Sequence, residues 1–173
     1  MSIEIERRYL VTGNSWKRNV KSIKTIHQAY LSSEKEGWTS RIRIEDGNKA
    51  LICLKSSSNG ITNNEFEYEI SLTDGEKILE LSDKKIYKTR YSLNLKNGDW
   101  IVDCFHKENY PLVIAEVELS SESQVIKKPQ WCEEEITGKY QLSNASLAKI
   151  PISIWPIKRR LSDCIPPKEH SIL

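Results

Sequence analysis

The stretch Ile3-Glu4-Ile5-Glu6-Arg7-Arg8-Tyr9-Leu10-Val11 places a charged residue at every second position near the start of the chain. Successive side chains of a β-strand point to opposite faces, so Glu4, Glu6 and Arg8 share one face. The apolar residues and Tyr9 share the other face. The stretch therefore predicts a strand over residues 2–11 with one ionic face.

The same alternation recurs along most of the chain, and each strand tends to carry charges of one sign. The repeated sets are Arg41 and Arg43; Glu65, Glu67 and Glu69; Lys88 and Arg90; and Glu116 and Glu118. Alternation and turn residues predict strands at 2–11, 27–32, 39–45, 49–56, 64–72, 87–95, 99–106 and 112–119. Turn signals at Asp46-Gly47 and Asn97-Gly98 make the neighbouring strands antiparallel.

Few helices are predicted between these strands. Thr73 and Glu76 have the spacing of a capping box, which predicts that a helix begins at Thr73. Shorter helical pieces are predicted near 15–21 and 143–149. Prolines predict an irregular tail over residues 153–173, and a length of 173 residues favours a single domain.

The composition excludes several broad classes of protein. A net charge of +2 gives no basic excess for coating nucleic acid. No apolar run approaches the roughly 20 residues of a membrane-spanning helix, and the N-terminus lacks the apolar core of a secretory signal. The four cysteines are widely spaced, without a zinc-binding pattern, and are expected to be reduced thiols. We therefore expect a cytoplasmic protein with no nucleic-acid or membrane partner.

The fold class expected from these elements is mainly β (α+β), an eight-stranded antiparallel closed β-barrel with a few flanking helices. Closure removes the exposed edges of a sheet. One interpretation places the apolar faces in an ordinary core and leaves the charges in solvent. The grouping of like charges favours the other interpretation, because such groups repel unless opposite charges face them. The charges would then line a polar lumen, and the outer apolar faces would be covered by helices, by the tail or by the second subunit of a homodimer.

The predicted lumen contains both carboxylates and cations. The carboxylates are Glu4, Glu6, Glu65, Glu67, Glu69, Asp103, Glu116 and Glu118, and the cations are Arg8, Arg41, Arg43, Lys55, Lys88 and Arg90. Mg²⁺ and Mn²⁺ prefer carboxylate oxygens, whereas guanidinium and ammonium groups bind phosphate. A metal-bound polyphosphate satisfies both sets, which predicts a phosphoryl-transfer site.

An ordered series of motifs resembles the CYTH superfamily, the triphosphate tunnel metalloenzymes. The opening Glu-Ile-Glu-Arg-Arg is similar to the family's Glu-x-Glu-x-Lys signature. The motifs that follow in the family's order are His27-Gln28-Ala29-Tyr30-Leu31, Arg41-Ile42-Arg43, Glu65-Phe66-Glu67-Tyr68-Glu69, Lys88-Thr89-Arg90-Tyr91, Trp100-Ile101-Val102-Asp103, Glu116-Val117-Glu118 and Tyr140-Gln141-Leu142-Ser143-Asn144-Ala145. The resemblance covers residues 1–152 and is greatest to the short bacterial inorganic triphosphatases.

This resemblance implies a role for each charged group. It implies that Mg²⁺ or Mn²⁺ is bound by Glu4, Glu6, Asp103, Glu116 and Glu118. It implies that phosphates are held by Arg8, Arg41, Arg43, Lys55, Lys88 and Arg90, beside an acidic wall of Glu65, Glu67 and Glu69.

Arg8 departs from the family, which has a lysine at this position. The lysine and a tyrosine, here Tyr30, help to deprotonate the attacking water in some members. Arginine remains protonated, so we expect Arg8 to bind phosphate, while the metal or a carboxylate such as Glu69 or Glu118 activates water. The catalytic set expected from the sequence is Arg8, Tyr30, Lys88 and Glu69.

The function expected is metal-dependent hydrolysis of inorganic triphosphate to pyrophosphate and phosphate. Within the same chemistry, an organic triphosphatase acting on thiamine or nucleoside triphosphate and a class IV-type adenylate cyclase remain alternatives. A different class of function is a polyphosphate-binding protein with weakened catalysis, which Arg8 suggests. The sequence leaves these alternatives open.

Overall fold

A single antiparallel sheet dominates the computed structural model, which describes residues 2–33, 37–57 and 62–156. Within these ranges the strands are β1 (Ser2–Val11), β2 (Val20–Ser33), β3 (Trp38–Glu45), β4 (Lys49–Ser57), β5 (Thr62–Ile70), β6 (Lys85–Leu93), β7 (Asp99–Phe105), β8 (Val113–Glu118) and β9 (Cys132–Glu135). The helices are α1 (Leu72–Leu81) and α2 (Asn144–Lys149), with short 3-10 turns at Ser15–Asn19, Lys107–Asn109, Tyr140–Leu142 and Ile152–Ile154.

The sheet closes on itself through β1. Its order is β5-β4-β3-β2-β6-β7-β8-β1, and β1 also pairs with β5. Ser2 to Ile5 of β1 pair with β5, whereas Glu6 to Leu10 pair with β8. The eight-stranded closed antiparallel barrel predicted from the sequence is therefore confirmed. The ninth strand, β9, pairs with the end of β1 and was not predicted, because Cys-Glu-Glu-Glu has no apolar alternation.

Ion pairs that skip a strand identify the inner face of the barrel. Lys55 on β4 pairs with Glu4 on β1 across the intervening β5. Arg41 on β3 pairs with Glu65 on β5, across β4. Side chains converge in this way on the concave side of a curved sheet, so the charged faces point into the barrel. The interpretation that leaves these charges in solvent is wrong.

Other parts of the chain cover much of the outer face. Helix α1 approaches β3 and β4 closely at Gly75, where an added Cβ atom would lie 2.6 Å from Cβ of Ala50. Ile42 and Ile44 are buried in this region and would also lie near that added atom. Elsewhere Trp131 packs with the outward-facing apolar residues of β1, β7 and β8.

A second apolar cluster blocks part of the barrel interior. Leu10, Ile86 and Ile114 follow the inward alternation of their strands and pack with Leu142 and Leu147 from the α2 region. These residues are almost completely buried. The interior is thus apolar beneath α2 and ionic beyond it, and this boundary places the charged site.

Local signals located several elements correctly. Asp46 and Gly47 have positive φ values of 50° and 67° in the three-residue connection between the paired residues Glu45 and Lys49, where the sequence predicted a turn. The helix predicted near 143–149 is confirmed as α2. The predicted cap at Thr73 is wrong, because the Ser71 hydroxyl already accepts a hydrogen bond from the Asp74 amide at 3.1 Å and α1 begins at Leu72.

The start of β2 and the C-terminal tail also differ from, or lie beyond, what the structure can be compared with. Strand β2 begins at Val20, earlier than residue 27, because a run of polar and exposed residues conceals its first half. Of the predicted tail, residues 157–173 lie outside the described residues. Among the described residues no helix combines the length and the apolar character needed to cross a membrane.

Candidate active site

Asp103 organises the basic side of the interior. Its carboxylate accepts hydrogen bonds from Nε and Nη2 of Arg90 at 2.8 and 2.7 Å, and from Nζ of Lys88 at 2.5 Å. The side chain of Asp103 is completely buried. Burial alone would raise the pKa of Asp103, but Arg90 and Lys88 hold it well below its usual value. Strands β6 and β7 therefore present two cations fixed on one carboxylate.

Glu116 lies between two guanidinium groups. Arg8 Nε donates to one carboxylate oxygen at 3.0 Å, and Arg90 Nη2 donates to the other at 3.0 Å. Burial and the neighbouring Asp103 would raise the pKa of Glu116, yet the cations lower it. Glu116 is thus an ionised carboxylate that is already neutralised by protein groups.

On the opposite part of the wall, two arginines of β3 each pair with one glutamate of β5. Arg41 Nη2 lies 2.9 Å from Glu65, and Arg43 Nη1 lies 3.0 Å from Glu67. The Cys53 thiol donates to Glu67 at 2.9 Å. Because each arginine is held by a glutamate, these cations are oriented before any anion arrives.

Glu6 and Glu118 differ from the other carboxylates of the interior. They face each other on neighbouring strands β1 and β8. Neither forms a salt bridge or a side-chain hydrogen bond with the part of the chain that the structure describes, although the charges of Lys55 and Arg8 act on Glu6. Burial, followed by repulsion from Glu116, raises the pKa of Glu6 to about 7. Carboxylate oxygens of this kind are the ligands that a hard divalent ion prefers.

A cavity of about 340 Å³ lies between part of the ionic wall and a segment that follows β9. Glu6, Arg8, Arg41 and Lys55 line it together with Tyr30. The remaining wall comes mainly from the segment 137–145, whose lining residues are Thr137, Gly138, Lys139, Tyr140, Ser143, Asn144 and Ala145. Sequence reasoning missed this contribution to the site. Its only signal was the family-order motif at Tyr140–Ala145, which has neither alternation nor charge grouping.

The structure brings most of the predicted site residues together. Those that face the interior and join its ion pairs are Glu4, Arg8, Arg41, Arg43, Lys55, Glu65, Glu67, Lys88, Arg90, Asp103 and Glu116. Tyr30 is buried in the cavity wall, and its hydroxyl accepts a hydrogen bond from Gln28 at 3.3 Å. Glu118 shares the inward face but is exposed. Glu69 lies apart: its side chain is 69% exposed and pairs with Lys49 at 3.8 Å.

Fold and site together define a closed β-barrel whose interior carries both carboxylates and cations. Residues 2–150 match the CYTH domain. The chain belongs to the CYTH domain family, as the sequence motifs indicated.

Similar proteins agree with this assignment. An inorganic triphosphatase from Acetivibrio thermocellus is 37% identical over 153 residues, which cover 87% of this chain and 96% of that protein. The crystal structure of the inorganic triphosphatase NE1496 matches with a TM-score of 0.64 and 29% identity, over 86% of this chain and 95% of that one. The PH1012 protein from Pyrococcus horikoshii OT3 shares only the fold, at 17% identity and a TM-score of 0.55, over 68% of this chain and 80% of that one.

Proposed function

We propose that this chain hydrolyses inorganic triphosphate to pyrophosphate and phosphate, with Mg²⁺ or Mn²⁺ as cofactor. One observation carries the proposal: the barrel interior holds oriented cations beside Glu6 and Glu118, two carboxylates in register on neighbouring strands that form no salt bridge within the described residues. The names of the Acetivibrio thermocellus relative and of NE1496 support the same reaction.

The basic groups bind the phosphate oxygens in this proposal. They are Arg8, Arg41, Arg43, Lys55, Lys88 and Arg90. Each is already paired with a carboxylate, so the incoming anion exchanges or shares these partners instead of ordering free side chains. Preorganised cations of this kind stabilise charge that develops in the transition state. Glu65 and Glu67 orient Arg41 and Arg43, and Asp103 orients Lys88 and Arg90.

The metal is assigned first to Glu6 and Glu118, with Glu4 and Glu116 beside them. Asp103 is placed in the basic wall instead of the first coordination shell, because three hydrogen bonds already occupy its oxygens. A divalent ion bound there supplies charge neutralisation for the triphosphate and increases the acidity of a coordinated water.

Water then attacks the terminal phosphorus. A bond forms between the water oxygen and phosphorus, and the bridging phosphorus–oxygen bond breaks with its electron pair on the departing pyrophosphate. One proton remains on the new phosphate, and the other passes to pyrophosphate or solvent. Arg8 does not take this proton, because its guanidinium is already protonated and the pair of Glu116 and Glu6 raises its pKa despite burial.

A phosphate-release assay tests the proposal. Inorganic triphosphate, ATP and thiamine triphosphate are each supplied with Mg²⁺, Mn²⁺ or no metal. We expect release from inorganic triphosphate to be fastest, to require metal, and to fall by about 100-fold or more in Glu6→Gln. Binding of triphosphate without release would support the polyphosphate-binding alternative, and formation of cyclic AMP alone would support a cyclase.

We also propose a homodimer in the cytoplasm. Trp38 and Tyr68, on the outer face of β3 and β5, are 53% and 58% exposed. Trp38 contacts Phe66 with tilted rings whose centroids lie 6.0 Å apart, so exposed apolar rings lie together on this face. The cysteines of the described part, Cys53, Cys104 and Cys132, are free thiols, which suits a reducing compartment. Analytical ultracentrifugation of the wild type and Tyr68→Glu tests the dimer, which the charge should dissociate.

A further inference from the structure

The segment 137–145 closes the cavity and also supplies a polar side chain, Asn144, to its lining. Its residue Asn144 begins α2 and lines the same cavity as Arg41. Each of these two side chains contains a buried polar atom without a hydrogen bond, Oδ1 in Asn144 and Nε in Arg41. Within the described residues the other such side-chain atoms are the indole nitrogens of Trp16 and Trp100, in the apolar cluster outside the barrel.

An unpartnered buried polar atom is unfavourable, and native proteins normally satisfy it with water, an ion or a ligand. Two such atoms in residues that line one cavity are candidates for contacts with groups that bind there. Their chemistry is opposite, since Arg41 Nε donates a hydrogen bond and Asn144 Oδ1 accepts one.

A phosphate oxygen satisfies Arg41 but not Asn144. The oxygens of ionised triphosphate are almost all acceptors, so they offer little to a carboxamide oxygen. Water, the second reactant of the hydrolysis, is a hydrogen-bond donor. The unpartnered atoms thus match the two reactants separately, one atom for each.

We infer that Asn144 orients the attacking water, an inference that rests on the proposed function. The carboxamide oxygen accepts one O–H of the water, which directs an oxygen lone pair towards the terminal phosphorus. The new bond forms and the bridging phosphorus–oxygen bond breaks as described above, and Asn144 takes up no proton. Holding a reactant in an attacking geometry is an established source of rate enhancement.

Arg8 has a matching role as a positioning residue. Its Nη2 donates to the carbonyl oxygen of Leu142 at 3.2 Å while Nε donates to Glu116 at 3.0 Å. The Arg8 amide also donates to Thr137 Oγ1 at 3.0 Å. The segment that carries Asn144 is therefore tied at two points to the ionic wall. Lysine has a single side-chain nitrogen and cannot contact Leu142 and Glu116 through two separate nitrogens. This difference explains an arginine at position 8.

Kinetics of variants at Asn144 test the inference. We expect Asn144→Ala to lower kcat about 10- to 100-fold while the KM for triphosphate changes less than about threefold. Asn144→Asp keeps an acceptor oxygen and should recover part of kcat, but its charge should raise KM. Gln141→Ala is the matched control, because Gln141 is an exposed amide in the same segment and does not line the cavity. Its kinetics should equal those of the wild type.

A second measurement does not depend on turnover. The side-chain amide signals of Asn144, assigned by their loss in Asn144→Ala, are followed by NMR as inorganic triphosphate is added to metal-free protein. They should shift, because an anion bound to Arg41 brings negative charge into the cavity that Asn144 also lines, whereas the signals of Gln141 should not. In Arg8→Lys we expect faster hydrogen exchange of the amides of residues 143–147 and a lower kcat.

The outcomes separate the two proposals. If wild type releases phosphate and Asn144→Ala keeps the wild-type kcat, the role of Asn144 is overturned and the triphosphatase proposal stands. If wild type releases no phosphate from any triphosphate, the proposed function fails. The NMR titration then decides whether Asn144 lies beside the anion site, and an absent shift overturns that placement as well. A drop in kcat that Asn144→Asp does not recover, with a matching loss of stability, would indicate a purely structural role.

Discussion

Asp103 and the pair Glu6 and Glu118 are carboxylates of the same barrel interior in opposite electrostatic conditions. Asp103 accepts three hydrogen bonds from Arg90 and Lys88. Glu6 faces Glu118 and carries a raised pKa. The first arrangement is neutralised within the protein, whereas the second is the one that the proposed metal would neutralise. The proposal therefore assigns Asp103 to the wall and Glu6 and Glu118 to the bound ion.

The largest expected effect comes from removing the Asp103 carboxylate that Arg90 and Lys88 share. Asp103→Asn leaves the buried Lys88 without its carboxylate and Arg90 with Glu116 alone, so we expect the free energy of unfolding to fall by about 3–5 kcal/mol. Urea unfolding at pH 7 measures this loss. A decrease below about 1 kcal/mol would show that Lys88 and Arg90 find other partners. Asp103 would then not differ from Glu6 and Glu118 as a structural carboxylate.

Glu6→Gln should change stability in the opposite direction. The pKa of Glu6 rises from 4.5 to about 7 on folding, so the folded state binds the extra proton between these values and wild-type stability falls as pH increases through this window. Without metal, we expect Glu6→Gln to be more stable than wild type by up to about 3 kcal/mol at pH 8. The two proteins should be equal near pH 4, where Glu6 is protonated in both states. Urea unfolding at both pH values checks the sign, and an equal gain at both would exclude titration as its cause.

Metal binding should depend on pH through the same group. Below about pH 7 the metal must displace a proton from Glu6, so affinity should rise by up to about tenfold per pH unit and level off above pH 7. Calorimetry in two buffers of different ionisation enthalpy measures the released protons. Glu6→Gln is the control, in which this proton release should disappear.

The smallest expected effect concerns Glu69. Its exposed side chain forms one long contact with Lys49, so Glu69→Gln should change the free energy of unfolding by less than about 0.5 kcal/mol. Phosphate release should change by less than about twofold. A large loss of activity would restore the catalytic role expected for Glu69 from the sequence.

The sequence by itself determined the strands and their ionic faces, because alternation is a local property of extended backbone. Glu4, Glu6 and Arg8 already showed it, and the charges on later strands predicted a polar lumen. Only the tertiary structure decided which carboxylates are neutralised, since Lys88 and Asp103 meet through strand pairing and not through local spacing. It likewise brought Asn144 to the cavity, because the packing of α2 against the apolar part of the interior leaves no periodic signal in the chain.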